Sequence, residues 1–220
     1  MGLFGSKKNT EVPQFIELEE SAVLKRDYAL SRNRLKPHFV NNVMTSIYYL
    51  CETDPAMAQR ISMAFSAYMM NIIEQLETHG LAPFTRELDL VKAYIGLEEL
   101  RLEDKLSADY DVYISEFEIP PMTLEPLVEI AVKHNIAGKD GGCKVTISTR
   151  RIADDGVQIK ISDNGIGFDP KNPDISDYGQ NDLDNIRSRL KSELGADLTV
   201  KSSPGGDTEF TIVIYPNAQD

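Results

Sequence analysis

The chain has 220 residues, of which 41% are hydrophobic and 26% charged, enough for one large domain or two small ones. Its formal net charge of −12 excludes nucleic-acid binding by bulk electrostatics, because an acidic surface is repelled by phosphate. The only two cysteines, Cys51 and Cys143, have no metal-ligand spacing and predict free thiols in a reducing, cytoplasmic setting.

The first part of the chain predicts a flexible tail over residues 1–18 and a helical hairpin over residues 19–84. The start "MGLFGS" matches the short N-myristoylation pattern at Gly2. No apolar run reaches the roughly 18 residues that a transmembrane helix needs. A membrane contact is therefore expected only through that lipid or through a region outside the sequence.

Apolar residues recur every three or four positions from about residue 19 to 50 and again from about 55 to 78, which predicts two amphipathic helices. Pro37 should kink or locally break the first helix, and Asp54 before Pro55 should start the second. Since one hairpin covers only part of its apolar surface, we expect two copies to form a four-helix bundle, and hence a homodimer. The alternative is that the hairpin packs on the rest of its own chain.

The second part, residues 85–220, predicts an α+β domain with one mixed sheet and helices on one face, in two layers. Its first helix should have Thr85 as N-cap, with Glu87 and Asp89 in the first turn. The remaining predicted elements are a strand at 107–116, a helix from Thr123, a β-hairpin of 143–151 and 156–163, a helix at 182–194, and strands at 197–202 and 207–215.

The helix that begins at Thr123 has one unexpected position. Its spacing predicts a core stripe of Leu124, Leu127, Val128 and Ala131. Ile130 falls on a flank that it shares with the polar Lys133 and His134.

The segment "SDNGIGFD" carries the sharpest local motif. Asp163 ends a predicted strand, where a fixed carboxylate can accept an amine hydrogen such as that of adenine. Gly165 and Gly167 allow a tight turn and a close approach of the backbone to a ligand. Glycine turns with aspartate are also common after strands, so an ordinary turn is the alternative.

The order of these segments resembles the ATP-binding domain of the GHKL superfamily. The upstream "LKPHFVNNVMTSI" looks like the phosphoacceptor segment of LytS/YehU-type sensor histidine kinases, and "EELRLEDKL" and "IPPMTLEPLVE" also resemble that family. The resemblance covers about residues 30–216. It implies a dimerising, histidine-phosphotransfer-like hairpin followed by a two-layer GHKL-type (Bergerat) ATP-binding domain.

The resemblance also implies roles for single residues. His38 would take the γ-phosphoryl group of ATP and pass it to a response regulator, with Asn42 bonded to the ring. Glu129 would act as a base. The implied nucleotide-binding residues are Lys133, His134, Asp163, Gly165, Gly167, Asn185 and Arg187. The alternative for His38 is an ordinary surface histidine. His38, His79 and His134 lie in separate elements and predict no structural metal.

Two departures from the family pattern lie where the phosphates would bind. Ile130 stands where the family has an asparagine that coordinates Mg²⁺, and a hydrocarbon offers no oxygen ligand. Gln180 and Asp182 replace two glycines, and Asp182 brings a negative charge to the phosphate site. Two functions stay open: a histidine kinase with impaired catalysis, or a kinase-like scaffold that binds a partner protein with weak or no nucleotide binding. A GHKL ATPase without histidine phosphorylation is disfavoured by "KPHFVNN".

Overall fold

The computed structural model describes residues 37–102, 105–136, 142–170 and 179–216, with the backbone alone at residues 134–136 and 179–181. The described chain divides after Met44 into two units, residues 37–44 and 45–216. The predicted tail, Gly2 and the part of the first helix before Pro37 lie outside the described residues.

Two helices form the hairpin region, α1 at Pro37–Thr53 and α2 at Pro55–Glu77. The described part of α1 begins at Pro37, so the predicted effect of Pro37 on the preceding helix lies outside the described residues. Asp54 starts α2 as predicted, because its Oδ1 accepts a hydrogen bond from the Met57 amide at 2.9 Å and Pro55 follows it.

Helix α2 packs along α3, which runs from Phe84 to Leu102. The Tyr68 and Tyr94 rings lie 6.0 Å apart between the two helices, and the Tyr68 hydroxyl donates to Glu125 Oε1 at 2.9 Å. Helix α2 therefore packs on the rest of its own chain, as the alternative to a dimeric bundle predicts. The four-helix bundle between two copies stays a prediction.

The start of α3 differs from the prediction. The helix begins at Phe84, so Thr85 is not its N-cap. Phe84 is fully buried, its ring stacks on Phe117 at 4.6 Å, and its amide donates to the Phe117 carbonyl. These contacts set the start of the helix in place of a side-chain cap. Glu87 does lie in the first turn, but it points into the core.

The second half is built on a five-stranded mixed sheet. Its strands, in spatial order, are β2 (Leu106–Val112), β4 (Cys143–Arg151), β5 (Val157–Asp163), β7 (Glu209–Ile214) and β6 (Asp197–Lys201). The β2–β4 pair is parallel and the other pairs are antiparallel. Alternating burial along β4 and β5 follows the alternating sequence, which confirms the predicted hairpin. A separate pair joins β1 (Ala82–Pro83) to β3 (Glu118–Ile119).

Helices α3, α4 (Leu124–Ile136) and α5 (Gly179–Leu194) pack against this sheet, α4 on β4 and β5 and α5 on β6. The predicted combination of helices and a mixed sheet is confirmed. None of the helices within the described ranges is long and apolar enough to cross a membrane.

Helix α4 is buried on more than one face. The predicted stripe of Leu124, Leu127, Val128 and Ala131 is at most 1% exposed, as expected. Ile130 was predicted to share a polar flank, yet it is only 6% exposed. The flank is covered because α4 contacts α3, α5 and the sheet, and a helix enclosed in this way buries its flanks as well as its stripe.

Candidate functional site

Asp163 is a buried carboxyl at the end of β5. Its Oδ1 accepts a hydrogen bond from the Gly165 amide at 2.8 Å, and its own amide bonds to the Thr208 carbonyl at 3.0 Å. Its Oδ2 has no hydrogen-bond partner among the described residues, although the residue is 7% exposed. Burial raises the pKa of this carboxyl above its usual value, and hydrogen bonds from the Gly165 amide and from Thr208 oppose the rise. By distance and angle Oδ2 has no partner among the described residues, so it can serve a ligand with an N–H group.

The loop after Asp163 is held against the turn between β6 and β7. Phe168 donates its amide to Ser202 Oγ at 2.9 Å, and Gly205 donates its amide to the Ile166 carbonyl at 2.6 Å. Gly167 has φ +55°, and a Cβ there would lie 2.2 Å from the Ser203 carbonyl oxygen. The close approach predicted for Gly167 is thus made to the chain's own backbone.

Helix α4 carries three of the predicted positions. Glu129 is buried, and its Oε1 lies 2.7 Å from Lys133 Nζ, whose side chain is 40% exposed. Ile130 lies between them in sequence and is buried. The side chain of His134 lies outside the part of the chain that is described. Between Glu129 and Lys133, α4 therefore presents one ion pair, formed by these two residues, and the apolar side chain of Ile130.

The predicted phosphate end lies at the start of α5. Asp182 is in the first turn and half-buried, and it is the acidic residue of that turn. Gln180 has no described side chain. Asn185 is exposed, and Arg187 pairs with Asp184 at 3.0 Å. Since carboxylates belong at a helix N-terminus as readily as phosphates do, Asp182 can occupy the favourable potential that an anion would use.

His38 is exposed in α1, one residue after Pro37. Asn42 Nδ2 lies 3.1 Å from His38 Nδ1, one helical turn away. A donor at this position favours a ring with its proton on Nε2. Rotation of the amide by 180° would present Oδ1 instead, move the proton to Nδ1 and expose a lone pair on Nε2.

The described side chains fit the two ends of Mg-ATP differently. The free Oδ2 of Asp163 suits the amine of adenine. Magnesium requires oxygen ligands, and Ile130 supplies none at the implied position. No group of three or more histidine, cysteine, aspartate or glutamate side chains in the described ranges could hold a metal ion. The described side chains therefore offer an acceptor that could meet a base and, at position 130, no oxygen ligand for a cation.

Two buried polar residues of this region were not among the predicted site residues. Thr208 is 1% exposed and its Oγ1 lies 2.9 Å from Ser202 Oγ, beneath the loop of Asp163. Glu87 is fully buried and accepts three backbone hydrogen bonds from the start of α4. Thr208 had a signal in the sequence, since it follows "PGGD" at the start of a strand. Glu87 had none, because its partners lie more than 30 residues away.

Comparison with known proteins finds two families. Residues 27–106 match the family described as "Histidine kinase", and residues 122–218 match "Histidine kinase-, DNA gyrase B-, and HSP90-like ATPase". The two matches follow each other along the chain in the order that the motifs predicted.

Similar proteins are named sensor proteins or are uncharacterised. The uncharacterised protein YwpD of Bacillus subtilis (strain 168) is 29% identical over 194 residues, which are 86% of this chain and 70% of YwpD. The sensor protein LytS of the same strain is 31% identical over 157 residues, 70% of this chain and 26% of LytS. The histidine kinase domain of the Erythrobacter litoralis EL346 blue-light activated histidine kinase aligns with a TM-score of 0.47 at 14% identity, covering 89% of this chain and 94% of that chain. The chain thus spans about a quarter of the length of LytS.

Proposed function

Since the chain belongs to the LytS-type sensor histidine kinases of the GHKL superfamily, we propose that it phosphorylates its own His38 from ATP, at a rate much reduced by Ile130 and Asp182. The phosphoryl group then passes to an aspartate of a response regulator. The observation that carries the proposal is the buried Asp163, whose Oδ2 is available to a ligand at the end of β5.

The base of the nucleotide binds at Asp163. Asp163 Oδ2 accepts a hydrogen bond from the exocyclic amine. The Gly165 amide donates to Asp163 Oδ1 at 2.8 Å and so fixes the orientation of the carboxyl. A buried acceptor without a partner costs about 1–3 kcal/mol, and a ligand that supplies the donor recovers that cost. The turn of Ser202 to Gly206 keeps the loop in place from below.

The phosphate end is the weak part of the site. Two unit charges 4 Å apart interact by about 1 kcal/mol in water and about 4 kcal/mol at an effective dielectric constant of about 20. Asp182 in the first turn of α5 therefore opposes a triphosphate, and Lys133 on α4, which pairs with Glu129, is proposed to contact the phosphates. Phosphoryl transfer depends on positive charge placed at the phosphates. A site that binds the triphosphate weakly is therefore also expected to transfer its γ-phosphoryl group slowly.

The reaction at His38 requires a lone pair on the ring. With the proton on Nδ1 and Asn42 presenting its oxygen, the Nε2 lone pair attacks the γ-phosphorus. The bond from that phosphorus to the β–γ bridging oxygen breaks, and ADP leaves with the electron pair. The phosphorylated ring then loses its Nδ1 proton to water, and Glu129 keeps the proposed role of a base in the reaction.

Two copies of the chain are proposed to pair through the hairpin helices. Large apolar side chains are exposed on α1 and α2, namely Met44, Tyr48, Tyr49, Met63, Met70 and Ile73. Such a set on two neighbouring helices suits burial in a four-helix bundle. Cys51 and Cys143 form no disulfide, and a reducing, cytoplasmic setting is proposed for the chain.

A second function is favoured by the two departures themselves. Ile130 and Asp182 together remove a metal ligand and add a like charge to the phosphate site. A chain that kept the fold as a scaffold for a partner protein, with weak or no nucleotide binding, would tolerate both.

Labelling separates the two functions. The purified chain is incubated with ATP labelled at the γ-phosphate and Mg²⁺, and acid-labile, base-stable label is followed over hours. Slow labelling that is lost in His38→Ala and kept in His79→Ala supports the kinase. Complete absence of label in the unmodified chain supports the scaffold.

The damage at the phosphate end is tested by the double variant Ile130→Asn with Asp182→Gly. It restores an oxygen ligand and removes a negative charge, so Mg-ATP affinity measured by calorimetry should rise by about tenfold or more, equivalent to about 1.4 kcal/mol. Adenosine, which has no phosphate, serves as the matched ligand and should bind both proteins equally. An unchanged Mg-ATP affinity would show that these positions do not limit binding.

A further inference from the structure

Glu87 is a fully buried carboxyl that reaches from α3 to the start of α4. Its Oε1 accepts a hydrogen bond from the Met122 amide at 2.6 Å. Its Oε2 accepts from the Thr123 amide at 2.7 Å and from the Leu124 amide at 2.8 Å. These three N–H groups point away from the body of α4 and have no partner inside the helix, so one side chain from another helix satisfies all of them.

The turn that Glu87 holds is constrained from several sides. Met122 is 3% exposed and has φ +56°, a left-handed conformation that a non-glycine residue adopts only at a cost. Thr123 Oγ1 donates to the Pro120 carbonyl at 2.5 Å. Arg189, on α5, donates to the Pro121 carbonyl. The segment from Pro120 to Thr123 is thus tied to α3 on one side and to α5 on the other.

These contacts join the elements that carry the candidate site. Helix α4 carries Glu129, Ile130 and Lys133, and α5 carries Asp182 at its N-terminus. Burial raises the pKa of the Glu87 carboxyl, and the three backbone hydrogen bonds and then the charge of Arg189 oppose the rise. The Glu87 carboxyl and the Arg189 guanidinium therefore meet at one turn, each from a different helix.

We propose that Glu87, together with Arg189, is a positioning residue that sets α4 against α5 and so sets the geometry of the nucleotide site. It touches neither nucleotide nor phosphoryl group in this role. The proposal rests on the proposed function for its consequence in nucleotide binding, but its structural content, the placement of α4 by a distant carboxyl, can be measured without any nucleotide.

A carboxyl is needed for chemical reasons. Either protonation state of a carboxyl can accept the three amide bonds, because both oxygens carry lone pairs. The amide of a glutamine has one acceptor oxygen, and its NH₂ group would face at least one backbone donor. Glu87→Gln therefore keeps the size of the side chain and leaves the Met122 amide without its acceptor, which releases the strained turn.

Helix α3 is also the helix on which α2 packs. Glu87 thus connects α3 to α4 through three hydrogen bonds, beside the direct hydrogen bond from Tyr68 on α2 to Glu125 on α4.

The test compares Glu87→Gln with Leu88→Ala, a neighbouring substitution on α3. Leu88 is buried at 7% exposure, so its truncation lowers stability at least as much without touching the turn. Amide hydrogen exchange is measured in both variants under conditions where both are folded. Positioning predicts faster exchange for Glu87→Gln at residues 122–124 and also along α4 to Lys133 and in the first turns of α5. Leu88→Ala should raise exchange evenly across the domain.

Nucleotide affinity gives the second readout. ADP without Mg²⁺ is titrated by calorimetry, and Glu87→Gln should weaken binding by about fivefold or more while Leu88→Ala leaves it within about twofold. Arg189→Lys, which keeps the charge but loses the planar donor fork, should lie between them and serves if Glu87→Gln does not fold. Exchange confined to residues 122–124, or equal ADP affinities in all variants, overturns the positioning role.

The two proposals fail separately. If the unmodified chain binds no ADP and takes no label on His38, the proposed function is wrong, while the exchange pattern of Glu87→Gln against Leu88→Ala still decides the role of Glu87. If label and ADP binding are present but the exchange pattern is even in both variants, the positioning role alone is wrong.

Discussion

Gly167 and Gly205 form a matched pair that tests how the loop of Asp163 is held. Both have a left-handed backbone, with φ +55° at Gly167 and φ +83° at Gly205. A Cβ at Gly167 would lie 2.2 Å from the Ser203 carbonyl oxygen and 2.3 Å from that of Gly206. A Cβ at Gly205 would meet nothing within 4 Å. The two positions therefore share the conformational cost of alanine and differ in steric overlap.

The expected losses follow from these two terms. A left-handed conformation costs a non-glycine residue about 1–2 kcal/mol. Forcing atoms into a packed region costs typically about 1–3 kcal/mol more, and both oxygens at Gly167 belong to backbone that cannot rotate away. Gly167→Ala should lower the free energy of unfolding by about 4 kcal/mol. Gly205→Ala should lower it by about 1–2 kcal/mol, from the backbone term alone.

Urea denaturation followed by circular dichroism measures both losses, and equal slopes in the two variants show that the same surface is exposed on unfolding. Adenosine binding is measured beside it, because movement of the loop displaces Asp163 in Gly167→Ala and not in Gly205→Ala. Losses of stability that agree within about 0.5 kcal/mol would refute the reasoning, since that is the usual scale of substitutions without a specific mechanism.

Two further predictions concern buried polar groups. Burial raises the pKa of Asp163 in the folded state, so its contribution to stability is fully present below the unfolded value of about 3.9 and is lost as the pH rises through the folded value. Asp163→Asn should therefore melt at a higher temperature than the unmodified chain at pH of about 8, with the gain shrinking towards pH of about 4; a gain independent of pH contradicts the assignment. Tyr68→Phe removes the 2.9 Å hydrogen bond to buried Glu125 and should cost about 1–3 kcal/mol in urea unfolding. Tyr113→Phe, at a residue 74% exposed, is its control and should change stability by less than about 0.5 kcal/mol; equal effects would show that the Tyr68 hydroxyl contributes nothing.

The local elements were readable because neighbouring residues encode them. Alternation along Cys143–Arg151 and Val157–Asp163 gave the hairpin, and Asp54 before Pro55 gave the start of α2. That Ile130 cannot coordinate Mg²⁺ also follows from the sequence, because its hydrocarbon side chain has no oxygen. The prediction of Thr85 as an N-cap was wrong because the stacking of Phe84 on Phe117, some 30 residues away, outweighs the local capping preference of threonine.

Glu87 and Tyr68 show what the tertiary structure alone decided. In the sequence Glu87 is an acidic residue in the first turn of a helix, a typical exposed position. The fold buries Glu87 against backbone amides 35 to 37 residues away. It also brings the Tyr68 hydroxyl to the carboxyl of Glu125, 57 residues away. Ile130 likewise became buried only when α3, α5 and the sheet enclosed its flank. Periodicity and capping depend on residues within a few positions, so they were enough to predict the helices and strands of the main sheet in order, but not the short pair of β1 and β3. Burial of a charge or a flank depends on which distant surfaces meet, so only the tertiary structure could decide it.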